Sequence, residues 1–149
     1  KIFSYLDLIN TLSDKIDRGG RIDSVDFIEL SIRKWESIVE FGNEFDPQEL
    51  FQLTYNDCGL CIEASLNYSM LISPRCARCR LTPVEDKLGF HPCQHRIIPR
   101  YHWQLRHDNV EQALILAKQF LEILERFRDN NWDGIVKGIP SSKLHQCIG

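Results

Sequence analysis

The chain has no apolar run near the roughly 20 residues that a bilayer core demands, so neither a membrane span nor a membrane partner is expected. The basic-then-apolar layout of a signal peptide is missing after Lys1, and the expected location is the cytoplasm. With 8 glycines and 6 prolines in 149 residues, collagen-like and low-complexity classes are excluded. No internal repeat is visible.

Catalytic signatures are equally scarce. There is no G-x-S-x-G elbow, no H-E-x-x-H pair and no deaminase H-x-E with P-C-x-x-C. Gly19-Gly20 precedes a helical pattern but lacks the Lys-Ser/Thr that completes a phosphate-cradling loop. His102, His107 and Asn109 lie close in sequence, as a zinc-knuckle nuclease would need. In that frame, however, the catalytic histidine lies between the knuckles, and residues 62–75 contain none. The expectation is therefore a binding protein, not an enzyme.

What the chain does have is cysteine in a particular arrangement. Five of its six cysteines fall between Cys58 and Cys93: Cys58-Gly59-Leu60-Cys61, Cys76-Ala77-Arg78-Cys79 and a lone Cys93. A two-residue gap lets both sulfurs of a knuckle turn toward one ion, and a second knuckle completes a tetrahedral thiolate site. One zinc ion is the expected cofactor, with an iron–sulfur cluster as the alternative. Cluster signatures usually bring three close cysteines and a remote fourth, which two separated knuckles do not match. Cys93, flanked by His91 and His95, is a further candidate ligand, although zinc takes only four. Three disulfides or a redox pair would also use an even cysteine count, and both remain open here.

Hydrophobic residues make up 43% and charged residues 26%, and the length suits a single domain. The net charge of −3 is unevenly spread: residues 1–74 carry six Lys/Arg against thirteen Asp/Glu, while residues 75–107 carry seven against two. A basic stretch suggests contact with nucleic acid. Four thiolates on one Zn²⁺ would cancel about two of those positive charges.

Apolar periodicity predicts helices over 2–17, 24–41 and 109–129, with a short one opened by Asp46-Pro47-Gln48-Glu49. In the second, Trp35 reads as a core anchor and Lys34, Glu36 and Glu40 as a solvated face. Ser24 and Asp108 are the expected N-caps of the second and last helices. A helix starting inside the first knuckle is favoured over 60–72. Residues 81–107, broken by Pro83, Gly89, Pro92 and Pro99, read as loops. Together these give a mainly α fold. It is a small helical bundle packed around the 109–129 helix, with an irregular zinc-clasped lobe at 56–106 and a tail at 132–149.

The last helix is apolar over much of its girth, which suits a core position or a partner's cover. A protein partner or homo-oligomer, reached through that helix and the Trp132 tail, is the leading expectation. Nucleic acid on the basic lobe, through Arg75, Arg78, Arg96 and Arg100, is the other.

The order Lys34-Trp35-Glu36-x-Ile38, Cys58-x-Leu60-Cys61, Cys76-x-x-Cys79 and Cys93 before Pro99-Arg100-Tyr101 resembles small, functionally uncharacterised proteins of bacteriophages, prophages and bacteria. The likeness covers residues 30–105. Those relatives usually have proline directly after the second knuckle, where this chain has Arg80, and an unbroken Pro-Tyr pair. The resemblance implies a mobile-element origin and a metal-bound fold, and carries no activity with it.

Overall fold

A computed structural model describes residues 1–54 and 97–129, which form five α-helices and, among the described residues, no strand. These are α1 (Tyr5–Asp17), α2 (Ser24–Phe41), α3 (Pro47–Thr54), α4 (Ile97–Arg106) and α5 (Val110–Asp129), with a 3-10 turn at Gly42–Glu44. The mainly α expectation holds. No helix among the described residues is long and apolar enough to cross a membrane.

The helix starts follow local polar chemistry. Ser4 caps α1 in a reciprocal box: the Asp7 N–H donates to Ser4 Oγ at 3.2 Å, and the Ser4 N–H donates to Asp7 Oδ2 at 2.8 Å. The Ser4 N–H, with the Ser4 hydroxyl that also donates to Oδ2 at 2.8 Å, holds the Asp7 carboxyl below the usual carboxylate range. At α2 the cap is Asp23, whose N–H donates to Asp26 Oδ2 at 2.7 Å, so the expected Ser24 cap is one residue late. At α3 the Glu49 N–H donates to Asp46 Oδ1 at 2.8 Å, the start expected from Asp46-Pro47.

Two helices end in the same closure. After α1, the Gly19 N–H donates to the Ile16 carbonyl and the Gly20 N–H to the Lys15 carbonyl, both at 2.9 Å, with Gly19 at φ 77°. After α4, Asp108 donates to Leu105 at 3.2 Å and Asn109 to Gln104 at 2.9 Å, with Asp108 at φ 59°. Both are the left-handed turn that satisfies the last carbonyls of a helix. Asp108 therefore closes α4, and the expected role as N-cap of the last helix is corrected.

Two apolar clusters lie on different sides of α2. The larger takes Ile28, Ile32, Trp35 and Ile38 from α2, Leu50 from α3, Ile97, Tyr101 and Leu105 from α4, and the buried face of α5. At its centre the Trp35 ring meets Tyr101 at 5.4 Å and Phe120 at 4.9 Å, both edge to face. One indole thus ties three helices, each ring pair adding ~0.5–1.5 kcal/mol beyond its buried area. The smaller cluster joins Phe3, Leu8, Ile9 and Leu12 to Ile22, Phe27 and Leu30. The Lys15–Asp26 ion pair at 2.7 Å closes its edge.

Among the described side chains of α2, the exposed ones are confined to a narrow stripe at Val25, Glu29, Arg33, Glu36 and Glu40. Lys34 lies outside that stripe at 1% exposure, which overturns its placement on a solvated face. The larger cluster is packed around the last helix as expected, and α2 is the element shared by both clusters.

Gly42, at the end of α2, serves close packing and not backbone freedom. Its φ is −57°, ordinary for a helix, but a Cβ there would come within 2.5 Å of Leu114 Cδ2. Its missing side chain lets the end of α2 approach α5.

Candidate functional site

All six cysteines lie outside the described residues, as do His91, His95, Arg75, Arg78, Arg80 and Arg96. So do the ligand set Cys58, Cys61, Cys76, Cys79 and Cys93, the helix expected over 60–72 and the Trp132 tail. Among the described residues, no group of three His, Cys, Asp or Glu is placed to hold a metal ion.

The described residues do fix the ends of the cysteine segment. It begins after Thr54 of α3 and finishes before Ile97 of α4. These two helices pack against each other: the Phe51 and His102 rings are 4.7 Å apart, and the Arg106 guanidinium lies 5.4 Å from the Phe51 ring. Pro47 and Gln48 share a cleft of about 310 Å³ with Arg106 and Asp108. Early residues of α3 therefore meet late residues of α4, so the helices run antiparallel. The chain leaves and re-enters the bundle at the same end of this pair.

α4 itself is the main departure from the sequence expectation, since 97–106 belongs to the helical frame and not to an irregular lobe. Pro99 sits in its first turn, where a backbone N–H would lack an intrahelical acceptor, so the ring costs little. Ile97, Tyr101 and Leu105, four residues apart, supply the buried face.

The opposite face of α4 is exposed and carries Pro99, Arg100, Trp103 and Arg106, with His107 just beyond the last turn. Trp103 is 51% exposed, and its ring stacks on His107 at 3.9 Å with 23° between the planes. His107 Nδ1 is 2.8 Å from the Trp103 carbonyl oxygen; a carbonyl only accepts, so Nδ1 carries the proton. No Asp or Glu occurs from 97 to 107.

His102 points elsewhere. It is half-buried against Phe51 and Tyr101, and burial, aided by the Arg106 charge, pushes its pKa down. His102 and His107 are about 140° apart around the helix, while the Asn109 side chain donates to Gln104 Oε1 at 3.1 Å. The three residues considered for a nuclease are thus committed to separate partners. α5 has spent its apolar girth on the core: Ala113, Leu114, Leu116, Ala117, Phe120, Leu121, Leu124 and Phe127 are buried, and Ile115 is its one large exposed hydrophobe.

Trp103 and Arg106 carry no weight in the sequence reading, and His107 only as a nuclease candidate, because Pro99 marks their segment as loop. The four-residue spacing of Ile97, Tyr101 and Leu105 is the signal that finds the helix, and its opposite face follows. Comparison with protein-family models, with curated proteins and with solved structures found no match.

Proposed function

We propose that this chain is a structural-zinc interaction module of phage or mobile-element type, in which a helical frame presents a metal-clasped lobe, residues 56–96, to a macromolecular partner. The observation that carries the reading is the antiparallel packing of α3 and α4, which holds both ends of the cysteine segment side by side. Anchored ends lower the loop-closure entropy that ligation has to overcome. Cys58, Cys61, Cys76 and Cys79 form the donor set of a closed tetrahedral zinc site, with Cys93 in reserve. When bound, the ion supplies a cross-link and neutralising charge.

The partner class follows from which surfaces remain. The apolar face of α5, the sequence's ground for a protein partner, is packed against α2 and α4. The exposed face of α4 is cationic and continues the basic run that begins at Arg75. This supports nucleic acid over a helix-mediated protein contact. A protein partner would have to engage the 132–149 tail or the lobe itself.

Native mass spectrometry with metal analysis of the same sample tests the module. One zinc per chain with all cysteines reduced is the expected result. A metal-free chain, lighter by two hydrogens per cysteine pair, overturns it in favour of disulfides.

A further inference from the structure

We infer that the outward face of α4 is a stacking platform for single-stranded nucleic acid, with Trp103 receiving a base and Arg100 and Arg106 its flanking phosphates. The inference names the partner class within the function proposed above and rests on that reading.

Among the described residues Trp103 is the one Phe, Tyr or Trp ring that stands exposed, at 51%, whereas Phe41, Phe45 and Phe51 are partly buried and Trp35, Phe27 and Phe120 are each at most 3% exposed. The ring is already ordered, stacked on one side by His107, which is itself tethered to the Trp103 carbonyl. Little further side-chain entropy is lost when a second flat group covers the free side. Nucleobases are the common flat partners of exposed indoles, and stacking tolerates any sequence because every base has a π face.

Charge selects the same occupant. Arg100 and Arg106 sit three residues before and after Trp103, their backbone positions about 60° to either side of it and about 9 Å apart along the axis, with the Arg106 guanidinium on the edge toward α3, 5.4 Å from the Phe51 ring. Residues 1–54 carry eleven Asp/Glu against six Lys/Arg, so a polyanion is repelled by α1–α3 and attracted to α4. Alternation of cation and aromatic along one track is how single strands are held without sequence preference. An acidic peptide would use the arginines but leave the indole with no role. The cleft beside Arg106, lined by Gln48, Phe51 and Leu105, extends the platform toward α3.

The test is fluorescence anisotropy of a labelled 20-nucleotide oligothymidylate with the full zinc-loaded chain at 50 and 200 mM salt. Binding that weakens with salt, and that Trp103→Ala lowers by roughly five- to a hundredfold, is the expected result. Arg100→Glu should weaken binding and flatten the salt dependence, with a melting temperature like that of the parent. Trp103→Phe should retain more affinity than Trp103→Ala, because it keeps a face to stack on. The inference is overturned by no binding at 50 mM salt, by equal affinity for duplex and single strand, or by affinity indifferent to Trp103→Ala. A dimer that Trp103→Ala dissociates, with no oligonucleotide bound, would reassign the face to a second copy of the chain. Zinc stoichiometry measured on the same sample separates the two proposals, since a zinc-loaded chain that ignores the oligonucleotide defeats only this one.

Discussion

The two clusters on α2 differ in how the chain reaches them. The smaller is local: Phe3 to Leu30 contains all of its buried members, and one turn at Gly19-Gly20 folds α1 back onto α2. The larger joins residues 2 to 50 to residues 97 to 127, so it exists only when the chain returns after the cysteine segment. Closing a long loop costs entropy before its contacts reward it, whereas the α1–α2 hairpin bears almost none of that cost. Yet the larger cluster holds the aromatic triad. The strongest packing in the frame therefore depends on its longest-range closure, and whatever constrains residues 55–96 acts first on that cluster.

The largest effect is expected from the metal. Cys76→Ser, or chelation, should lower thermal stability severely, since ligation in small zinc peptides is worth ~10–16 kcal/mol, as much as a whole domain's stability. Amide exchange should show α4 and α5 losing protection before α1. An unchanged melting temperature would sink the structural-site assignment, and uniform loss would erase the difference between the clusters.

Next in size are the core truncations. Trp35→Ala should cost about 3–5 kcal/mol and Leu12→Ala about 2–5. Because the two side chains belong to separate clusters, the double variant should sum the single effects to within about 0.5 kcal/mol in urea unfolding. A larger coupling would mean that the two side chains interact through α2 and that the clusters are not separate. Smaller and opposite in sign is Asp108→Gly, which relieves a side chain held at φ 59°. A gain of about 0.5–1 kcal/mol, seen as a melting point a few degrees higher, is expected. Gly19→Ala, at φ 77°, should move the other way.

The smallest effect concerns His102. Its pKa is lowered in the folded protein, so the unfolded chain takes up the proton more readily. Stability should be flat above the unfolded value near 6.5 and fall as pH drops from there toward the lower folded value. His102→Gln should remove that slope. Since His102 rests on Phe51, the slope belongs to probes on α3 and α4; an identical slope for probes on α1 would contradict the independence of the clusters.

Much of the frame is legible in the sequence where a periodic apolar row meets a cap. The Asp46-Pro47 start of α3, the core role of Trp35 and the course of α5 all follow from local rules that the tertiary structure respects. Three features were hidden for physical reasons. Pro99 breaks helices in their interior but not in a first turn, so a breaker rule misreads α4. Lys34 is buried because α2 packs on two sides, which a single-stripe reading does not anticipate. Asp108 has the composition of a cap at either end of a helix, and only its backbone angle decides between them. The proposed ligands, drawn from Cys58, Cys61, Cys76, Cys79 and Cys93, are a reading of spacing, while the α4 face emerged only once its helix was in place.

The paired exit and re-entry at α3 and α4 also bears on how such a protein can change over time. A segment whose two ends meet at one edge of a finished scaffold behaves as a graft. Lengthening it costs free energy only as the logarithm of its length, and any replacement that holds the same two ends together lets Trp35, Tyr101 and Phe120 meet as they do here. Scaffold and insert are then free to diverge at different rates, the first held by packing and the second by whatever it is selected to grip.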